Sequence, residues 1–244
     1  EDYLNQIKVQ RIASWGSKID LVKLDEMINR KIRQEKIAIK DVKLRTFITA
    51  DNARDEMVQH VYDITYGTVR KNEDTLVVID DSIVRGTTLK ESIIRMLSRL
   101  KPKKIIVVSS APQIRYPDCY GIDMSKLGDF IAFRAAIALL KESGDENTIR
   151  EVYEEIKELE RNNQLHTENL VKKIYKPFTP EIISAKVASL ITAPDIEMPV
   201  QVIYQTIEDL HKSCPTNTGD WYFTGNYPTS GGNRVVNKAF INYF

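Results

Sequence analysis

The sequence predicts an α/β fold built on a parallel sheet, and two short apolar runs separated by an amphipathic stretch carry that reading. Leu76 to Ile79 is an unbroken apolar run with two valines and an isoleucine, as expected of a central parallel strand buried on both faces. Ile105 to Ser109 repeats the pattern. Between them, Thr88 to Leu100 reads as a helix: Ile93, Ile94, Leu97 and Leu100 recur at helical spacing, and Thr88 with Glu91 fits a capping box. Strand, helix and second strand form a βαβ crossover over Leu76 to Ser109.

The remaining elements follow from the same rules. Glu1 to Ile7 reads as a running helix, and Ile19 to Ile39 places apolar residues among charges at helical spacing, as on a surface helix. Val42 to Ile48 alternates like a strand, and Asp51 to Tyr66 is polar and mixed, like a loop. Pro112 to Gly121 turns away from the second strand, and Phe130 to Ser143 is an amphipathic helix. A charge-dense stretch, Asp145 to Lys173, suits a helical extension with a solvated face. Thr179, Pro180 and Glu181 open a helix through Leu190, and Pro199 is expected to open another ending near Cys214. The last thirty residues, rich in Gly, Asn and aromatics, show no helical period and are expected to form an ordered loop and tail. The expected division is a sheet domain over residues 1–143 and a helical extension with its tail over residues 144–244.

Bulk properties narrow the function. A chain of 244 residues with 42% hydrophobic residues can bury a sizeable core. A formal net charge of +1 gives no broad positive field, so nucleic acid is not an expected partner. No apolar stretch is long enough to cross a bilayer, and no basic then apolar leader opens the chain, so no membrane is expected and the cytoplasm is the expected location. The two cysteines, Cys119 and Cys214, make neither a disulfide framework nor a metal quartet. The chain starts at Glu1 rather than at a methionine and is expected to be part of a longer polypeptide.

Chemistry concentrates in the thirteen residues Leu76-Val77-Val78-Ile79-Asp80-Asp81-Ser82-Ile83-Val84-Arg85-Gly86-Thr87-Thr88. Ligands of parallel sheets sit beyond the carboxyl ends of strands, where Asp80 and Asp81 fall. Adjacent carboxylates there can accept hydrogen bonds from vicinal ribose hydroxyls and balance a magnesium ion, which prefers hard oxygen ligands. The N–H groups of Ser82 to Thr87 can curl into an anion nest at a helix N-terminus, with Gly86 permitting close approach and the Thr87 and Thr88 hydroxyls donating. An Asp-Asp pair alone more often marks a turn, or the acidic site of a receiver-like or phosphatase-like domain. The complete run outweighs that reading. His60, His166 and His211 have no partners at recognisable spacing and read as ordinary residues.

This run resembles the 5-phosphoribosyl-1-pyrophosphate (PRPP) motif of type I phosphoribosyltransferases, and its form IDDSIVRGTT is closest to the glutamine amidophosphoribosyltransferases. Arg45-Thr46-Phe47-Ile48 is similar to the family's RTFI strand, and Ile114-Arg115-Tyr116-Pro117 with Tyr120-Gly121-Ile122-Asp123-Met124 to its later YGID segment. Cys214 to Tyr227, with Thr224-Gly225, resembles the family's terminal cysteine and TG segment less tightly.

The resemblance implies a partial type I phosphoribosyltransferase fold with a C-terminal helical extension. It also implies transfer of the phosphoribosyl group of PRPP to ammonia, giving phosphoribosylamine and pyrophosphate in purine synthesis. Asp80 and Asp81 would act as catalytic and Mg2+-binding residues, and Ser82, Ile83, Val84, Arg85, Gly86, Thr87, Thr88 and Arg45 would join them in binding PRPP. Ammonia would come from an upstream glutaminase domain, the family's pyrophosphate loop would also lie upstream, and the fragment is expected to be inactive alone. Purine nucleotides as feedback inhibitors and a homo-oligomer are further partners so implied. Departures stand beside the matches: the family's basic pair in the flexible loop falls near Gln59 and Val61, which favours as an alternative a non-catalytic PRPP-binding regulator of the same fold. Asn217 stands where a C-x-x-C partner would be, so no iron-sulfur cluster is expected.

Overall fold

A computed structural model describes residues 2–16, 20–29, 38–40, 62–64, 67–120, 124–217 and 219–244. The predicted strand Val42 to Ile48 with Arg45, and the positions Arg54, Gln59, His60 and Val61, lie outside the described residues.

The architecture is α/β, with a three-stranded parallel sheet and surrounding helices. Strand β3 (Thr75–Asp80) pairs with β4 (Lys104–Ser109), and β4 pairs with β5 (Val200–Tyr204), both in parallel. The predicted crossover is present: β3 leads through a π-helical turn (Leu89–Ile94) into α3 (Arg95–Ser98) and back to β4. A separate antiparallel ladder joins β1 (Ala38–Lys40) to β2 (Tyr62–Ile64). Upstream, α1 (Asp2–Ala13) and α2 (Leu21–Asn29) fall in the two expected helical stretches, but Ala38 and Ile39, expected to end the second, lie in β1, and Tyr62–Ile64 of the expected loop forms β2.

Period-two burial shows where the core sits. On β4, Ile105, Val107 and Ser109 are buried, and on β5 Val202 is buried. This face meets α4 (Ile131–Glu142) and α7 (Pro180–Ile191), which pack on each other while α7 also packs on β5. Helix α7 begins as its sequence predicts: Pro180 occupies the first turn, and the Thr179 hydroxyl accepts the Ile182 N–H at 3.4 Å. Helix α5 (Glu146–Arg161) turns Ile149, Val152 and Ile156 inward, and the short α6 (Lys172–Tyr175), with Ile174 and Tyr175 buried, follows it.

Four further expectations are corrected. Strand β3 is not buried on both faces: among the described residues it pairs on one side only, and Val77 and Ile79 are 59% and 76% exposed. The Thr88–Glu91 capping box is not formed, because Thr88 already has helical dihedrals (φ −59, ψ −40) and makes no side-chain cap bond. Pro199 opens strand β5 rather than a helix, with α8 (Ile207–Ser213) following it. The strand Val200–Tyr204 is rich in β-branched and aromatic residues, which override the proline signal. Finally, the last thirty residues contain a full helix, α10 (Ser230–Ile241), after the short α9 (Trp221–Thr224). Its Gly231-Gly232 start disguises it, yet Gly232 is required, since a Cβ there would lie 2.3 Å from Tyr227 Cγ.

Residues 144–244 are therefore bound into the same core. Asn237 on α10 is fully buried; its side-chain amide donates to the carbonyls of Leu165 (2.9 Å) and Glu168 (2.7 Å), and its oxygen accepts the Leu170 N–H (3.2 Å). One side chain thus satisfies three backbone groups that have lost water. Asn237→Ala is expected to cost about 2–4 kcal/mol in urea unfolding, whereas Asn233→Ala, which removes one 3.3 Å bond at a more exposed position, should cost far less. Equal losses at the two positions would contradict this account.

Candidate functional site

Asp80 ends β3 in register with Ser109 of β4, which is itself in register with Tyr204 of β5. The strand tip is lashed to the loop after β4: the Asp80 carbonyl accepts both the Ser110 N–H and the Ser110 hydroxyl, each at 2.9 Å, and the Asp81 carbonyl accepts the Ala111 N–H at 3.1 Å. The small residues Ser109-Ser110-Ala111 allow this close approach, a signal present in the sequence that motif reading passed over. The two carboxylates fold back onto the following amides, Asp80 Oδ1 accepting Asp81 N–H at 3.1 Å and Asp81 Oδ1 accepting Ser82 N–H at 2.8 Å. Each ionised carboxylate offers roughly four acceptor positions, so most remain for a ligand.

Electrostatics at the pair is unfavourable as it stands. Partial burial first, then the hydrogen bond and the like charge of the neighbouring Asp81 carboxyl, raise the Asp80 carboxyl above the ordinary aspartate range, while the Asp81 backbone amide pulls the other way. Hydroxyl donors or a cation placed between the two carboxylates would relieve that repulsion. Among the described residues no group of three or more acidic, histidine or cysteine side chains could hold a metal by itself. The pair fits a magnesium ion bound through one or two carboxylates, with water and ligand phosphate oxygens completing its shell.

Beyond the pair, Ser82 to Thr88 form a turn held from beneath. The Ile83 side chain is buried in the core, the Val84 carbonyl accepts the Ile131 N–H at 2.7 Å, and the Gly86 carbonyl accepts the Lys90 N–H at 3.0 Å. Gly86 has φ +72, and a Cβ there would lie 3.0 Å from Ile191 Cγ2 and 3.4 Å from Ile131 Cγ1. Glycine is thus needed for the left-handed backbone and for the approach of α4 and α7. The backbone N–H groups of Ile83 to Thr87 donate no hydrogen bond among the described residues, so this run of amides is unengaged. Thr87 and Thr88 are exposed.

The nine contiguous candidates, Asp80 to Thr88, therefore come together, although Ile83 can contribute only through its backbone. Arg85 points to Asp129, its Nη2 lying 3.2 Å from Asp129 Oδ2. Asp129 sits in the 3-10 turn Leu127–Asp129, and no local sequence signal joins it to Arg85 across forty-four positions. The π-helical geometry of Leu89–Ile94 was likewise invisible in the sequence; such turns are rare and concentrate at functional sites.

The later family-like segments build the scaffold instead. Ile114, Tyr116 and Pro117 are buried, and the Arg115 and Tyr116 amides both donate to the Tyr222 carbonyl (2.8 and 3.1 Å). Arg115 lies over the Tyr175 ring at 5.2 Å and donates twice to Gln113 Oε1. Gly225, at φ +69, closes α9 where a Cβ would lie 2.6 Å from Asn169 Nδ2. Residues 121–123 of the YGID segment lie outside the described residues.

No protein-family model matches the chain. Curated relatives do: an amidophosphoribosyltransferase of Pasteurella multocida is 48% identical over 61 residues, 25% of this chain and 12% of that protein. The amidophosphoribosyltransferase of Escherichia coli is 47% identical over 60 residues, again 25% and 12%. That of Saccharomyces cerevisiae is 30% identical over 158 residues, 63% of this chain and 20% of the relative. The chain thus spans between about an eighth and a fifth of the length of these relatives.

Two outcomes follow for stability. Because the folded-state pKa of Asp80 is raised, the folded protein holds a proton more tightly than the unfolded chain, so stability contributed by this group is present at low pH and lost as pH rises through the folded value. Asp80→Asn is therefore expected to melt above the wild type at pH 7, with the gap closing as pH falls below the ordinary aspartate value of 3.8. A lower melting temperature at pH 7 would contradict the repulsion described. Gly86→Ala should destabilise by about 1–2 kcal/mol from its left-handed backbone alone, and more where Ile191 fails to move; denaturant midpoints measure it.

Proposed function

The chain is a relative of the amidophosphoribosyltransferases, and from that premise we propose that Asp80 to Thr88 bind PRPP and that the complete polypeptide transfers its phosphoribosyl group to ammonia. The observation that carries the reading is the juxtaposition at one strand tip of an electrostatically strained acidic pair and a run of unengaged amides. A phosphorylated sugar satisfies both at once. Its vicinal hydroxyls donate to Asp80 and Asp81, and its 5′-phosphate accepts from the N–H groups of Ile83 to Thr87 and from the Thr87 and Thr88 hydroxyls.

In this reading the carboxylates also work on the reaction. As pyrophosphate leaves C1, positive charge develops on the ribose ring, and two carboxylates near its hydroxyls stabilise that charge more than they stabilise the ground state. Asp80 and Asp81 would hold a magnesium ion, which when bound would supply charge neutralisation for pyrophosphate. The turn contributes position: its amides fix the phosphate end of the sugar, and the lashing of Asp80 to Ser110 fixes the acidic end. Arg45 would close the pocket, and ammonia would be released from glutamine by a separate glutaminase domain. On this reading the product, phosphoribosylamine, would enter purine biosynthesis. Residues 1–143 would carry this site, with residues 144–244 as the extension that completes the sheet.

The test is ammonia-dependent release of pyrophosphate from PRPP with Mg2+ by the full-length polypeptide, beside isothermal titration with PRPP. Wild type is expected to turn over, and Asp80→Asn to lose about a hundredfold or more in kcat/KM. Turnover of Asp80→Asn at the wild-type rate would remove the site assignment. PRPP binding without turnover by the wild type would favour a non-catalytic PRPP-binding regulator, the reading to which Gln59 and Val61 point.

A further inference from the structure

We propose that the groove between α10 and the turn Leu127–Asp129 is a second anion site, taking a small phosphorylated molecule larger than a bare phosphate. The groove holds about 1240 Å³. Its sides are set by residues 125–129, by the segment leaving α5 and by α10. Open sites for small metabolites run to roughly 1,000 Å³, so the groove accepts more than an inorganic ion.

Charge gives the ligand its sign. Along α10 and onto its C-cap, Ser230, Arg234, Lys238 and Asn242 recur at every fourth position, so they form one polar stripe, and all four line the groove. Lys126 lines it from the segment before the 3-10 turn. The acids of the same lining are engaged elsewhere: Asp129 pairs with Arg85 at 3.2 Å, and Glu160 with Lys157 at 2.6 Å. Lys126, Arg234 and Lys238 have no ion pair or side-chain hydrogen bond among the described residues. Lys238 does lower the Glu160 carboxyl, but as a through-space charge that ranks behind the Lys157 hydrogen bond. Arg234 and Lys238 stand four apart on one helix, an arrangement in which like charges repel until an anion lies between them. Ser230, Asn163 and Asn242 add neutral donors, which suit phosphate oxygens better than a halide.

The groove also touches the first site. Asp129 lines the groove and holds Arg85, so a ligand drawing on Lys126 and the Asp129 turn acts on the residue at the centre of the phosphate turn. That link to regulation rests on the proposed function, whereas the binding itself does not.

The test is titration of the full chain with inorganic pyrophosphate by calorimetry, using three variants whose folding is checked by thermal melting. K126Q/R234Q/K238Q removes the groove cations; R99Q/K101Q/K103Q removes an equal charge from exposed positions elsewhere; Thr87→Val weakens the turn. Affinity at the groove is expected to fall by about tenfold or more in the groove variant and to hold in the equal-charge control and in Thr87→Val, which instead weakens a separate binding event at the turn. Equal weakening in the charge control shows diffuse attraction and overturns the proposal, as does loss of all binding in Thr87→Val or no binding by the wild type. Intact groove binding together with no response to Thr87→Val counts against the PRPP reading alone.

Discussion

The docking of one turn onto two helices governs the rest. The loop from Ser82 to Gly86 cannot rise from the sheet as a free excursion, because its middle carbonyl is spent on the Ile131 amide and its glycine is wedged against Ile131 and Ile191. The Val84 and Gly86 carbonyls and the Ile83 side chain are engaged with the core, while the amides from Ile83 to Thr87 donate to no partner among the described residues. The unpartnered amides of the turn are therefore a by-product of how α4 and α7 cover it. The acidic pair is located by the same economy, since Ser110 and Ala111 tie down the Asp80 and Asp81 carbonyls and leave the carboxylates their remaining lone pairs.

Much of this arrangement was legible in the sequence, for reasons specific to its parts. The runs Leu76 to Ile79 and Ile105 to Ser109 have enough β-branched residues to specify strands locally, and the Thr179-Pro180 cap fixes the start of α7 regardless of context. The site motif was readable because its chemistry lies in consecutive residues. What escaped was set at long range. Asp129 meets Arg85 only because α4 returns to the turn, and β5 exists because β4 offers it an edge. The π-helical turn and the missing capping box share one origin: Thr88 is already helical, so its hydroxyl is not positioned to cap. In α10, Gly231 and Gly232 spoke against a helix, while the aromatic ring of Tyr227 that demands Gly232 lies outside any local window.

Resemblance to a family also divides into two kinds of residue here. Those of the first motif line the candidate site, whereas those of the Ile114 to Pro117 and Thr224-Gly225 segments bind the tail to the core through Tyr222, Tyr227 and Asn169. The Tyr227 hydroxyl donates to the Pro117 carbonyl at 2.8 Å and the Tyr175 hydroxyl to the Arg115 carbonyl at 2.8 Å, so the loop after β4 is gripped from two sides. That loop begins with the very residues that anchor Asp80. Scaffold and site are thus separate in chemistry but continuous in mechanics.

The uncovered side of the sheet bears on how the chain behaves in a test tube. Val77, Ile79 and Ile203 expose 59%, 76% and 42% of their surface on the face turned away from α4 and α7. Each 100 Å² of such oil-like surface carries about 2.5 kcal/mol of unfavourable hydration, and contiguous patches of this type drive self-adhesion. Self-association through this face then opposes solubility, and salts that strengthen burial favour it.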